Sequence, residues 1–277
     1  MRTTLPATVA PLVAPLVALV VALLAAVAGP AAGQATRDQA RIAFTVSLGY
    51  VQPKSLWQVD RQPVSDRPLP SDTFALTRRI KPTLTFGFSG VYFPGEHLGY
   101  VGEAYLLGLG FQDSCNLVYA SGSSRNSQAC SSIDRAEKAA TAVALNGGLI
   151  YRINSRSAIA PYARIGAGIL FSTQSSVRMI GTFPNAQGEL VDAVIYPDAR
   201  DSRVSPTAVL GVGFTSAIGR GYQVRWEIRD NLATVRSVTG PTAEDGMPPP
   251  TATRLKHLLS FNVGFDVVLE RRRGRRY

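Results

Sequence analysis

The sequence predicts an all-β fold: a closed, antiparallel, up-and-down, eight-stranded transmembrane β-barrel. Three observations carry this reading. Only 17% of the 277 residues are charged while 45% are hydrophobic, whereas about a quarter of a soluble domain is charged. From Ile42 onward the apolar residues recur every two positions, the strand period, and not every 3.6. The connections between the resulting strands then alternate strictly between long and short.

The first element is a targeting segment at residues 1–35. Arg2 gives a positive start, an uncharged run extends from Leu5 to Ala35, and Ala31-Ala32-Gly33-Gln34-Ala35 supplies small residues for cleavage after Gly33 or Ala35. The run approaches membrane-spanning length, so a retained anchor is the competing reading. Pro11 and Pro15 weaken a regular helix there, and the small-residue motif favours a cleaved signal peptide. The mature chain is then exported, with a barrel at 36–270 and an Arg-rich tail at 271–277.

Strands are expected at 42–50, 82–93, 99–112, 139–153, 158–172, 204–217, 222–232 and 255–270. Between them lie connections of 31, 5, 26, 4, 31, 4 and 22 residues. A soluble sandwich has no reason to keep every second connection short. An outer-membrane barrel does, with short periplasmic turns and long external loops. The even strand number places both mature termini in the periplasm. The short connections carry turn chemistry, as in Phe93-Pro94-Gly95-Glu96, Asn154-Ser155-Arg156-Ser157 and Gly219-Arg220-Gly221.

Within each strand one face is large and apolar, the other small. The first sets Ile42, Phe44, Val46, Leu48 and Tyr50 against Ala43, Thr45, Ser47 and Gly49; the last sets Leu259, Phe261, Val263, Phe265 and Val267 against Ser260, Asn262, Gly264 and Asp266. Small residues suit the crowded interior of a narrow barrel, which leaves the bulky face to lipid. Tyr50, Tyr92, Tyr100, Phe111, Tyr151, Tyr162, Phe171 and Tyr222 fall near strand ends, where interfacial aromatic girdles form. In the third strand Val101, Tyr105, Leu107, Leu109 and Phe111 are assigned to lipid. That register also turns Glu103 outward, near the periplasmic end, where a charge costs little.

With the signal segment, the strand pattern, the run Val224-Arg225-Trp226-Glu227-Ile228-Arg229-Asp230 and a last strand from Leu258 to Leu269, the chain resembles small bacterial outer-membrane barrels of the OmpA, OmpX and OmpW type. The last strand is similar to the C-terminal signal read by the barrel-assembly machinery, which the resemblance therefore implies as a partner during insertion. No peptidoglycan-binding domain follows the barrel, against an OmpA-like tether, and the chain continues past the aromatic residue at which the family usually stops.

Seven charged residues are expected to point inward: Arg152, Arg164, Arg225, Glu227, Arg229, Asp266 and Glu270. They make either a gated polar path or, more simply, an ion-pair network filling the lumen, with Asp266 near Arg225 or Arg229. Cys115 and Cys130, in one external loop and the only cysteines, are expected to form a disulfide in an oxidising compartment. With two histidines in the chain, no metal site and no cofactor are expected. His257 and Ser260 differ in parity, so they face opposite sides of a strand and cannot make a hydrolase pair.

The net charge of +10 invites a nucleic-acid reading, but Arg2 and the five arginines of 271–277 account for six of it. What remains is too diffuse for a basic binding face, so the expected partners are outer-membrane lipid and lipopolysaccharide, and not nucleic acid. The expected role is structural, an adhesion or interaction function carried by long external loops, and not enzymatic. A narrow channel or port for small hydrophobic molecules is the alternative that an OmpW-like resemblance implies, and a lipid-modifying enzyme ranks third.

Overall fold

A computed structural model describes residues 42–66, 69–108, 110–135, 137–138, 141–153, 157–197, 203–219, 221–242 and 247–269. The expected signal segment and Arg-rich tail lie outside these residues. In chain order the elements are β1 (Ile42–Val51), β2 (Lys54–Asp66), β3 (Leu69–Ile80), β4 (Thr83–Tyr92), β5 (Leu98–Gly108), β6 (Phe111–Tyr119), α1 (Ser124–Arg135) and β7 (Glu137–Lys138). They continue with β8 (Thr141–Arg152), β9 (Ile159–Ser172), β10 (Met179–Pro184), β11 (Leu190–Tyr196), β12 (Val204–Gly219), β13 (Tyr222–Val238) and β14 (Thr251–Leu269).

Eight of these strands close a barrel in the order β1-β14-β13-β12-β9-β8-β5-β4, every pairing antiparallel. They are the eight expected from the sequence. Starting at Ile42, the paired residues run through Tyr92, Tyr100, Leu149, Ile165, Leu210 and Asp230 to Leu259. Ile42 itself pairs with Leu269, so one circuit returns ten residues away. For eight strands a stagger of this size requires a steep tilt, about 35–45° in such barrels.

The wall separates the two faces seen in the sequence. Phe44 is 54% exposed, Leu84 66% and Ile165 58%, whereas Ala43 and Thr45 are buried. An apolar surface this continuous does not face water; it is the lipid-facing wall of a transmembrane barrel. Exposed Phe44, Tyr92, Tyr100, Tyr151, Tyr222 and Phe265 sit within a few residues of the short-turn ends of their strands. Phe111 does not join this girdle: it is buried beneath β2 and β3, outside the barrel strands. Tyr162 is likewise buried, inside the lumen.

Strand β5 corrects the register expected for it. Val101, Tyr105 and Leu107 point inward and are buried, while Tyr100 and Leu106 face lipid beside the small residues Gly102 and Ala104. Glu103 therefore points into the barrel. Its carboxylate finds arginine partners there, which lipid cannot supply.

The long connections are not loops in the usual sense. β2, β3, β6 and β7 form a second sheet in the order β2-β3-β6-β7, β10 and β11 a hairpin, and α1 packs between β6 and β10. β13 and β14 stay paired as far as Val238 and Thr251, so much of the connection expected at 233–254 is an extended hairpin. One apolar core runs from inside the barrel into this outer layer. Tyr105, Leu107, Ala142, Leu170 and Leu258 of the barrel belong to the same buried cluster as Trp57, Phe74, Leu76, Ile133 and Tyr196 above it.

Candidate functional site

The lumen divides into layers. Its middle is ionic. Arg164 lies 2.9 Å from Glu103 and 3.0 Å from Glu227; Arg229 lies 3.1 Å from Glu103 and 2.8 Å from Glu227. The four side chains thus make a closed ring of alternating charge, each at most 5% exposed. Tyr162 donates its hydroxyl to Glu227 at 2.6 Å, Asn146 its amide to Glu103 at 3.0 Å, and the Arg229 guanidinium lies over the Tyr105 ring. Beside the ring Arg225 pairs with Asp266 at 2.9 Å. Three arginines meet three carboxylates, the arrangement that makes buried charge tolerable.

Strand alternation positions these groups. Arg225, Glu227 and Arg229 occupy successive inward positions of β13, Arg164 faces them from β9 and Glu103 from β5 across the lumen. Small residues leave them room. A side chain at Gly87 would run into the Tyr105 ring and one at Gly49 into Asn262. The cavity left among Thr45, Arg164, Arg225 and Glu227 is about 10 Å³, room for about one water. Toward the long-loop end the apolar cluster closes the lumen. Toward the short-turn end Val91, Phe93, Val101 and Ile150 do so, with Arg152 stacked over Phe93 and its Nε donating to the Glu96 carbonyl.

Of the residues singled out in the sequence, Arg164, Arg225, Glu227, Arg229 and Asp266 are brought together. Arg152 stands apart at the short-turn end, and Glu270 lies outside the described residues. Glu103, which joins Arg164 to Arg229, was missed. A charge count held the clue: the mid-barrel positions expected inward supply three arginines but only Glu227 and Asp266 against them, one carboxylate short.

Cys115 of β6 and Cys130 of α1 form a disulfide with Cα atoms 5.3 Å apart. It stands in a domain tied together by buried polar groups. Arg78 of β3 holds Asp113 of β6 and donates to the carbonyl of Arg178 at 2.7 Å, while Trp57 donates to the carbonyl of Ser176 at 2.8 Å. Gln62 of β2 accepts from the Tyr196 hydroxyl and donates to the Thr242 hydroxyl. These bonds join all four long connections. Asp72 is buried where it accepts from the Ser121 backbone N–H and the Asn126 amide. Burial pushes its carboxyl up, but these hydrogen bonds outweigh burial and hold it below the usual carboxylate range.

A cavity of about 90 Å³ opens at the long-loop rim, where β12 and β13 part above the Thr207–Ala233 pair. Leu56, Phe111, Leu170 and Leu258 form part of its apolar lining, and Ser205, Arg203 and Arg236 are polar residues of its wall. On the outer wall His257 Nδ1 lies 2.7 Å from Asp230, while Ser260 faces the lumen, 1% exposed. Among the described residues no three His, Cys, Asp or Glu side chains cluster to hold a metal.

No family model and no curated protein matches this chain. Among solved structures it is similar to Neisserial surface protein A, NspA (10% identity, 82% of this chain and 97% of that one, TM-score 0.40). It is similar to the outer membrane protein OprG from Pseudomonas aeruginosa (12% identity, 84% and 98%, TM-score 0.44). It is also similar to the E. coli outer membrane protein W (15% identity, 84% and 100%, TM-score 0.37).

Proposed function

We propose that this chain is an outer-membrane protein that holds a folded recognition domain at the cell surface, on a barrel that conducts nothing. Both mature termini would lie in the periplasm and the long connections outside. One observation carries the reading: the lumen is filled through its depth while the four long connections fold as one stapled domain. A pore needs a continuous wetted path, and a domain of mobile loops needs no buried ion pair. Here the polar groups inside are neutralised in pairs, and the ordered structure is concentrated above the rim.

Planar-bilayer recording of the purified protein tests this. The expected result is no unitary current, with none appearing in Glu103→Gln. Stable wild-type channels that change conductance in that variant would overturn the assignment. The surface role is tested by protease treatment of intact cells and by adhesion assays with cells expressing the full chain or a variant lacking 55–79.

The rim cavity supports a second reading, occupancy by a small apolar molecule. It is floored by Leu170 and Leu258 of the apolar cluster, and no residue of the ionic layer lines it, so it fits binding better than passage. Filling it with Leu170→Trp would abolish uptake of a hydrophobic fluorophore if the cavity is the site. A lipid-modifying activity has less support, because the hydroxyl nearest His257 in sequence is turned into the lumen.

A further inference from the structure

Strand β14 outruns its partner on one side. Its ladder with β1 ends at Ser260, opposite Val51, whereas its ladder with β13 continues to Thr251. The last bond on the β1 side comes from the Gln52 N–H, which donates to the Leu259 carbonyl at 3.0 Å; Pro53 follows, and the chain leaves as β2. Backbone groups in an antiparallel strand turn alternately to one neighbour and the other. Thr253, Leu255 and His257 therefore turn their N–H and C=O to the same side as Leu259, where no strand pairs with them among the described residues. The faces are open here too: Ala252, Thr253 and Arg254 are exposed, and Leu255 is 56% exposed. A bilayer does not accept an unpaired edge, so this stretch stands in water.

The two faces of the edge differ. Arg254 and Lys256 point to the side shared with Leu258 and Ser260, while Leu255 and His257 point to the opposite side, in line with Leu259. Lys256 Nζ donates to the Ser55 carbonyl at 3.2 Å, and Lys54 and Arg254 both lie close enough to repel it. Lysine on an edge keeps identical sheets from joining. A second copy of this chain would bring the same cations on its own β14 and be repelled. A strand carrying carboxylates meets the opposite condition, because cross-strand pairs of opposite charge attract. Main-chain bonds to an open edge are a recurrent way of holding an extended peptide.

Building on the surface-recognition reading, we propose that the open edge of β14, from Thr253 to His257, docks an extended acidic segment of another protein. The segment adds a strand where β1 has left off. Its carboxylates lie beside Arg254, Lys256 and Lys54, and an apolar side chain lies beside Leu255.

The test uses the full-length protein in nanodiscs and a short fluorescent peptide of alternating glutamate and valine, followed by anisotropy. Heat-modifiable migration first establishes that each variant is a folded barrel. Protease treatment of intact cells reports separately whether the long connections face outward, so the site and the surface reading can fail independently. Wild type should bind this peptide and not its lysine–valine counterpart. Leu255→Pro removes an N–H from the open edge and none from the β13 ladder, and should weaken binding about tenfold or more. Methylating the backbone nitrogens of the peptide's valines, which lie opposite Leu255 and so face β14, should do the same while keeping every charge. The triple variant Lys54→Gln, Arg254→Gln, Lys256→Gln should weaken binding about tenfold, and the control Arg61→Gln, Arg79→Gln, Arg203→Gln should not. Binding that survives both Leu255→Pro and the methylated peptide would reduce the effect to charge attraction and overturn the docked strand. No binding by wild type at millimolar peptide would remove the site. Self-association in detergent that Leu255→Pro abolishes would reassign the edge to a second copy and overturn the acidic partner.

Discussion

The Arg78 guanidinium grips the Asp113 carboxylate through two hydrogen bonds of 2.6 and 2.7 Å, in a site where neither side chain is more than 1% exposed. The same guanidinium lies over the rings of Trp57 and Phe111 at about 5 Å and reaches the carbonyl of Arg178 in a third connection. A single residue therefore fixes three chain segments against one another.

Replacing Asp113 with Asn leaves that guanidinium buried without its countercharge, a change that costs about 3–5 kcal/mol in comparable sites. The loss falls on the outer domain and not on the barrel. Limited proteolysis of intact cells should cleave residues 52–80 and 111–135 far faster in the variant, while heat-modifiable migration persists. Equal protease resistance would mean that the apolar core suffices to hold the domain.

Within the barrel, Glu103→Gln strips Arg164 and Arg229 of one of the two carboxylates they share. By the same reasoning the barrel should lose about 3–5 kcal/mol in urea unfolding from lipid vesicles. Glu103→Gln combined with Arg229→Met, which restores neutrality around Glu227 and Arg164, should recover part of it. If the double variant is no better than the single, the ring is not the unit that stabilises the lumen.

Reducing the disulfide, or Cys130→Ser with Cys115→Ser, opens a link of sequence separation 15. The expected cost is about 3 kcal/mol. It should appear as an earlier thermal transition of the outer domain with the barrel transition unmoved. A thiol reagent should label nothing in the native protein without reductant.

Asp72 gives the outer domain an acid limb. Its carboxyl titrates lower in the folded chain than in the unfolded chain, where the value is about 4. Its contribution is therefore fully present above about pH 4 and is lost as pH falls through the folded value. Thermal stability of the domain should be level from pH 7 to about pH 5, fall below about pH 4, and fall less in Asp72→Asn. A wild-type profile that the variant reproduces would place the acid sensitivity elsewhere.

How far the sequence speaks depends on which contacts decide each element. The barrel strands are legible because lipid outside and crowding inside impose a period of two on residues close in sequence. β5 misleads because its inward side becomes apolar where the lumen merges with the outer core. Tyr105 and Leu107 then look like a lipid face, while the true one carries Gly102 and Ala104. The ion ring was legible in composition but not in membership, since only the register of β5 admits Glu103. Of the outer domain only the Cys115–Cys130 disulfide was legible. The domain's strands are held by partners such as Gln62 with Thr242 and Arg78 with Asp113, far apart in the chain and without local periodicity.

The pairing of β1 with β14 has a kinetic consequence. Ile42 and Leu269 are hydrogen-bonded neighbours although almost the whole described chain separates them, so loop closure must be completed before either strand has both partners. Until β14 has been synthesised and delivered, β1 and β13 each expose an unpaired edge, which a bilayer does not accept. Insertion cannot proceed hairpin by hairpin to a stable halfway product. It must wait for the final strand, which makes β14 the element that times the assembly of the whole protein.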